Sequence, residues 1–263
     1  MNLISSRSNS IVKLARALRQ KKARLESGLF LVEGIRPVGE AVEAKAEIET
    51  IFYAPDVLHS EFAEELIRSQ AKQGVTCLPV TTDVFDSISD KENPQGILAL
   101  VKQNPKKLEE LNPENFLWGV GLVAPQDPGN LGTILRTIDA VGASGLLLLD
   151  SNLDVYHPST VRASMGSLFW YPIVTASFRD FIRWSRMHGY TVYGTSAHAH
   201  LDYRQVQKYA SPRVLLMGSE RQGLTEEQSA ACDALISMPM RGRATSLNLA
   251  VATGVMLYAM LDR

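Results

Sequence analysis

Three glycine-marked segments follow one another in the second half of this chain. Each stands where an apolar run ends and a helical pattern begins. They read DPGNLGTILRT (127–137), LLMGSERQGL (215–224) and MPMRGRATSLNLAVATG (238–254). A chain that passes repeatedly from strand through loop to helix is confined to α/β architecture, because parallel strands need helical crossovers. Ligands bind such sheets outside the carboxyl ends of the strands, where all three loops fall. Each loop also carries polar side chains that a purely structural turn does not require. Together they point to one composite site.

The hydrophobic pattern extends this reading. Apolar runs at 116–124, 145–149, 173–174, 190–195, 213–217 and 234–238 read as strands. The stretches 131–141, 161–167, 178–188, 225–231 and 246–261 read as helices. The leucine run 145–149 is expected to be buried on both faces. Ahead of them, Ile11, Leu14, Ala15 and Leu18 recur at helical spacing and predict one helix over 8–26. Strands are expected at 29–32, 48–53, 75–80 and 97–101, with helices at 36–44 and 61–72 and mostly parallel pairing. Residues 102–115 are polar, carry Pro105 and Pro113, and lack periodicity. This predicts a domain over 1–105, a linker at 106–115 and a second domain over 116–263, both of ordinary domain size.

Composition excludes more than it selects. The net charge of -1 gives no general case for nucleic acid or membrane. Its distribution is more telling: Arg7, Lys13, Arg16, Arg19, Lys21, Lys22 and Arg24 fall in one acid-free run. Cys77 and Cys232 form neither a disulfide framework nor a zinc cluster, which fits a reducing cytoplasm. His198 and His200 have no further ligands arranged nearby, so no metal is expected. The opening residues show no signal-peptide core. The longest apolar stretch, 247–261, is short of the ~20 residues that span a bilayer and reads as a buried helix.

Within the three segments, particular side chains stand out. Asn130 is expected to cap the helix that follows it. Gly132 and Arg136, four apart, share a helical face, and an arginine near a helix N-terminus suits phosphate. Glu220 lies between Gly218 and Gly223, which let the backbone turn tightly. Ser or Thr near 246 would cap the last helix. Asn248, between Leu247 and Leu249, would be an amide inside an apolar helix that must find partners. Ala250 and Gly254 make a small-residue face suited to close packing against a partner subunit. A G-x-G-x-x-G fingerprint is absent, which counts against a nicotinamide enzyme.

Taken together, N-x-G-x-x-x-R-T (130–137), G-x-E-x-x-G (218–223) and S-L-N (246–248) resemble the three motifs of the SpoU, or TrmH, branch of the SPOUT RNA methyltransferases. The resemblance covers residues 116–263. The basic opening helix, LFLVEG (29–34) and NPQG (93–96) resemble the RNA substrate-binding domain that often accompanies this branch. The resemblance implies an α/β domain with a deep trefoil knot and S-adenosylmethionine as methyl donor. It also implies a homodimer and methylation of a ribose 2′-hydroxyl in structured RNA, rRNA ahead of tRNA. A SPOUT-like protein that binds structured RNA without methyl transfer is the alternative. By the same resemblance, Asn130, Arg136, Glu220, Ser246 and Asn248 would be catalytic. Thr195, Gly218, Met238 and Leu247 would contact the donor, and Arg7, Lys13, Arg16 and Arg162 the RNA. Met238 stands where many relatives carry isoleucine, a change that a backbone contact tolerates.

Overall fold

The computed structural model describes residues 3–261. The chain divides into two compact units, Met1–Asn104 with Tyr156–Trp170, and Pro105–Val155 with Tyr171–Arg263.

The first unit opens with α1 (Ser10–Ala17) and α2 (Lys21–Ser27), not with one helix. The break is held by Arg24, a buried side chain whose guanidinium donates to the carbonyls of Leu18 (2.6 Å) and Arg19 (2.8 Å) at the end of α1. A charge read as part of a basic surface is therefore an internal clamp. Then follow β1 (Leu29–Glu33), α3 (Ile35–Glu43), β2 (Ile48–Tyr53), α4 (Glu61–Lys72), β3 (Thr76–Pro79), α5 (Thr82–Ile88) and β4 (Ile97–Lys102). α5 is not among the helices expected from periodicity; it is capped by Thr81, which accepts from Val84 N. The sheet order is β1-β4-β2-β3. Pairing is mixed rather than mostly parallel: β4 runs antiparallel to both β1 and β2, and only β2 and β3 pair in parallel. β1 and β2 thus share a direction, with α3 as their crossover, and β4 fills the gap between them. Apolar patterning reports which residues are buried, not which way a strand runs, so this insertion was not legible.

The second unit contains β5 (Trp118–Val123), α6 (Pro128–Val141) and β6 (Gly145–Leu149). After α7 (Pro158–Ser164), which belongs to the first unit and packs on β1, it resumes with β7 (Ile173–Ala176), α8 (Phe178–Met187) and β8 (Thr191–Thr195). The short β9 (Leu201–Asp202), β10 (Arg213–Met217), α9 (Glu226–Ala230), β11 (Ala234–Ser237) and α10 (Leu249–Leu261) complete it. Seven strands lie in the order β7-β6-β5-β10-β8-β11-β9, all paired in parallel. All of β6 is buried, as expected of the leucine run, and so is all of β5. Phe116, Leu147, Phe181, Trp184 and Leu216 are among the core residues. Leu108 and Leu111 join the same core, and Trp184 Nε1 donates to Leu111 O at 3.0 Å. The segment read as a linker therefore packs on the second unit.

This strand order positions the site. The chain enters at β5 in mid-sheet, moves to β6 and β7 on one side, then returns to β8, β10 and β11 on the other. The loops after β5 and β10, neighbours in the sheet, lead away in opposite directions and open a crevice between them. Among the described residues, no helix is long and apolar enough to cross a membrane, and no group of His, Cys, Asp or Glu could hold a metal ion.

Candidate active site

The crevice is built from three loops. After β5 the chain turns through Ala124, whose φ of 44° lies in the left-handed region. The N-cap of α6 is Asp127, not Asn130: its carboxylate accepts from Gly129 N (2.6 Å) and Asn130 N (3.3 Å), with Pro128 at the first helical position. Pro fits that position because its missing N–H would be unpaired there anyway. The shift of three residues matters, since it leaves the Asn130 amide free for other work. Gly132 and Arg136 also part company, Gly132 facing the core and Arg136 the solvent.

After β10, Ser219 and Gly223 exchange backbone hydrogen bonds of 3.1 and 2.9 Å and close a tight loop. Gly218 cannot be replaced without distortion, because a Cβ there would collide with the Gly223 backbone. The loop presents Glu220 at its tip. Glu220 Oε1 accepts from Asn130 Nδ2 (3.5 Å) and from Gln126 N (3.4 Å). Oε2 has no hydrogen-bond donor among the described residues.

The third loop runs from β11 to α10. The helix starts at Leu249, so Asn248 stands at its boundary and is exposed rather than buried inside it. Asn248, not Ser246, provides the cap: its Oδ1 accepts from Ala250 N (2.9 Å) and Val251 N (3.3 Å). That use of the oxygen dictates the orientation of the amide. Its Nδ2 then donates to Asn130 Oδ1 at 2.9 Å, which in turn aims Asn130 Nδ2 at Glu220. A directed relay runs from the α10 N-terminus through Asn248 and Asn130 to Glu220, and joins all three glycine-marked segments.

Beside the relay lies a cleft of about 400 Å³ at the carboxyl ends of β8, β10 and β11. Thr195, Gly218, Met238 and Leu247 line it, with Glu220 and Ser246. The structure thus brings together every residue expected at the donor and most of those expected to be catalytic. It also adds residues not singled out from sequence. Asp127 was legible as the residue before a helix-opening proline. Gln126 contributes only its backbone N–H, which no side-chain motif could reveal.

Arg136 stands apart. It is exposed and has no hydrogen-bond or ion-pair partner among the described residues, so within one chain it does not touch Glu220. The other arginines with expected RNA roles lie in the first unit. Arg7 is held by Asp83, with Nε to Oδ2 at 2.8 Å. Arg16 donates to Arg7 O (3.3 Å) and Ser87 Oγ (3.2 Å), and Arg19 pairs with Asp90 at 2.9 Å. The basic run therefore stitches α1 to α5 and the loop after it. Lys13 remains exposed without a partner among the described residues, and Arg162 on α7 is exposed.

The small-residue face of α10 packs within the chain. A Cβ at Gly254 would lie 3.8 Å from Thr137 of α6, and Ala250 is buried. The face left open is apolar instead: Val251 is 53% exposed and Tyr258 58%, with Val255 and Leu261 between and beyond them.

Comparison with known proteins matches both parts of the chain to described families. Residues 9–99 match the MRM3-like substrate binding domain and residues 119–258 the SpoU rRNA Methylase family. The chain is 33% identical over 262 residues to a Streptomyces viridochromogenes protein named 23S rRNA (uridine(2479)-2′-O)-methyltransferase, covering 97% of this chain and 90% of that protein. It is 30% identical over 258 residues to the Bacillus subtilis (strain 168) 23S rRNA (guanosine(2553)-2′-O)-methyltransferase RlmP, covering 98% of each. The crystal structure of an AdoMet-bound rRNA methyltransferase from Sinorhizobium meliloti superposes with a TM-score of 0.88 at 40% identity, over 98% of this chain and 96% of that one. Motif spacing, parallel sheet and sequence agree, and the chain belongs to the SpoU rRNA methylase family.

Proposed function

We propose that this protein transfers a methyl group from S-adenosylmethionine to a ribose 2′-hydroxyl of rRNA. The observation that carries this reading is the Asn248–Asn130–Glu220 relay at the mouth of the cleft. The cleft suits the donor. Its volume lies within the roughly 300–1,000 Å³ of small-molecule sites. Met217, Met238, Leu224 and Leu249 supply apolar surface for a base, while Thr195 and Ser246 offer hydroxyls. When bound, S-adenosylmethionine supplies an electrophilic methyl on a sulfonium.

The chain's own task is to align a 2′-oxygen and remove its proton. Arginine is effectively always protonated and cannot be the acceptor. Glu220 has the required free oxygen: Oε1 is anchored by Asn130 and Gln126, and Oε2 is left for the hydroxyl. Asn130 and Asn248 hold that carboxylate in place. Arg136 grips a neighbouring RNA phosphate and steadies charge developing on the oxygen. A ribose hydroxyl is common to all nucleotides, so this centre need not read the base. The two curated relatives, named for a uridine and a guanosine, accord with that.

The protein acts as a cytoplasmic homodimer through α10. The exposed stripe Val251, Val255, Tyr258 and Leu261 is the surface a second copy would cover, and Arg136 adjoins the α6–α10 seam at Thr137. The first domain, 1–105, holds structured RNA through Lys13, with Arg7, Arg16 and Arg162 in the same unit. In the catalytic domain, 116–263, the C-terminal segment threads a loop to form a trefoil knot.

The test is direct. Isothermal titration should detect S-adenosylmethionine binding to the purified protein. Incubation with labelled donor and an unmodified 23S rRNA transcript should yield a label in an alkali-resistant dinucleotide, because a methylated 2′-oxygen cannot attack its own phosphate. Donor binding without transfer to rRNA or tRNA would leave only a binding protein. Transfer to tRNA alone would move the substrate class.

A further inference from the structure

We infer that Arg221, Arg241 and Arg243 form a phosphodiester-binding rim on the donor cleft, which takes the RNA backbone beside the target ribose. The inference rests on the methyltransferase reading of that cleft and names the groups that would hold its polyanionic substrate.

Three observations carry it. First, these guanidiniums are uncommitted. In the same unit Arg183, Arg186, Arg204 and Arg213 each hold a carboxylate or a carbonyl, while Arg136 on α6 and Arg179 on α8 are also exposed without a partner among the described residues but do not line the cleft. Arg221, Arg241 and Arg243 are exposed and form no hydrogen bond or ion pair among the described residues. Second, they are gathered at one place. Arg221 lines the cleft directly, and Arg241 and Arg243 lie on the short loop between two of its lining residues, Met240 and Thr245. Third, positive charge outweighs negative charge at the opening: Glu220 is the one carboxylate among the residues lining the cleft, and its Oε1 is already held by Asn130 and Gln126. The segment 238–248 contains two arginines and no acid. Asp202 is close enough for Arg241 to help lower its pKa, but that carboxylate is already taken. Hydrogen bonds from the Arg204 side chain and backbone hold it down at about 2.

Three guanidiniums against one carboxylate leave an excess of positive charge around one opening, and a phosphate anion relieves it. The planar guanidinium fork matches a phosphate bidentately. Gly242, between two of the arginines, has open space where a side chain would stand, so nothing crowds the approach to them there. Glu220 stands beside Arg221 in the chain, which would put the captured phosphate near the proton acceptor.

The experiment compares wild type with the triple variant Arg221→Gln, Arg241→Gln, Arg243→Gln. Binding of an unmodified 23S rRNA transcript is measured across a salt series, and S-adenosylmethionine binding by titration. Each lost phosphate contact lowers the slope of log affinity against log salt by about 0.7–0.9. Three contacts give about 2–3 units. Between 50 and 200 mM salt, wild type should therefore lose about 20- to 40-fold more affinity than the variant. Donor affinity should be unchanged, and the corresponding triple lysine variant should restore most of the slope. An unchanged slope overturns the rim. A matching loss of donor affinity also overturns it, because the arginines would then hold the cleft or the donor. If wild type itself neither binds donor nor methylates RNA, the methyltransferase reading falls, and the salt slopes still report on the rim.

Discussion

Asn248 performs two tasks with one amide: its oxygen caps α10 and its nitrogen orients Asn130. Asp caps a helix as well as Asn but has no N–H to donate. Asn248→Asp should therefore leave the thermal midpoint unchanged while slowing methyl transfer on the order of 100-fold, the size of a small misplacement. Asn248→Ala should lose the cap as well, at about 1 kcal/mol. Glu220→Gln should lower kcat by about 10²–10⁴ with donor affinity retained, the range for loss of a general base. Near-normal turnover would remove Glu220 from proton transfer. Tyr190 gives a readout of the core. Its buried hydroxyl donates to Phe116 O at 2.5 Å, and burial pushes its pKa up to about 12. An unfolded tyrosine titrates near 10. The contribution is thus fully present below about pH 10 and is lost as pH rises through about 12. Thermal melts should fall across that window, and Tyr190→Phe should make the fall shallower. Tyr171, also raised to about 12 by burial and by Asp139, would retain part of it.

At the scale of elements, α6 and α10 carry the site through their first turns. Asp127→Ala should cost about 1 kcal/mol by uncapping α6. It should also slow transfer, because Asn130 lies within that first turn. The open face of α10 belongs to the dimer reading. Val251→Glu with Tyr258→Glu should shift the protein from dimer to monomer in sedimentation, and an unshifted dimer would place the interface elsewhere. The elements were largely legible because strand ends and helix starts are punctuated by Gly, Pro and Asp. At the site itself, the misreadings trace to helix boundaries. A helix start at Leu249 puts Asn248 at a cap and not in a core, and a helix start at Pro128 hands the cap from Asn130 to Asp127.

For the whole molecule, the grouping of Tyr156–Trp170 with the first unit sets what truncation can do. Phe30 lies against Tyr156 and Phe169, with ring centroids 4.6 and 6.1 Å apart. A fragment of residues 105–263 keeps every cleft residue but strips 156–170 of its packing. Limited proteolysis should cut that fragment within 156–170 while titration still detects donor binding; a fragment resistant there would show that the segment is held by other contacts.

The sequence by itself determined the α/β class, the burial of the central strands and the three loops that meet at the cleft. Those depend on local patterns: apolar runs, glycine at tight turns, and polar residues at strand ends. Only the tertiary structure decided the direction of β4, the commitment of Arg7, Arg19 and Arg24 to internal partners, and the relay from Asn248 to Glu220. Each of these depends on which distant segments become neighbours. A side chain's charge is legible in one dimension, but whether a partner 76 residues away, as Asp83 is from Arg7, has already claimed it is a property of the fold.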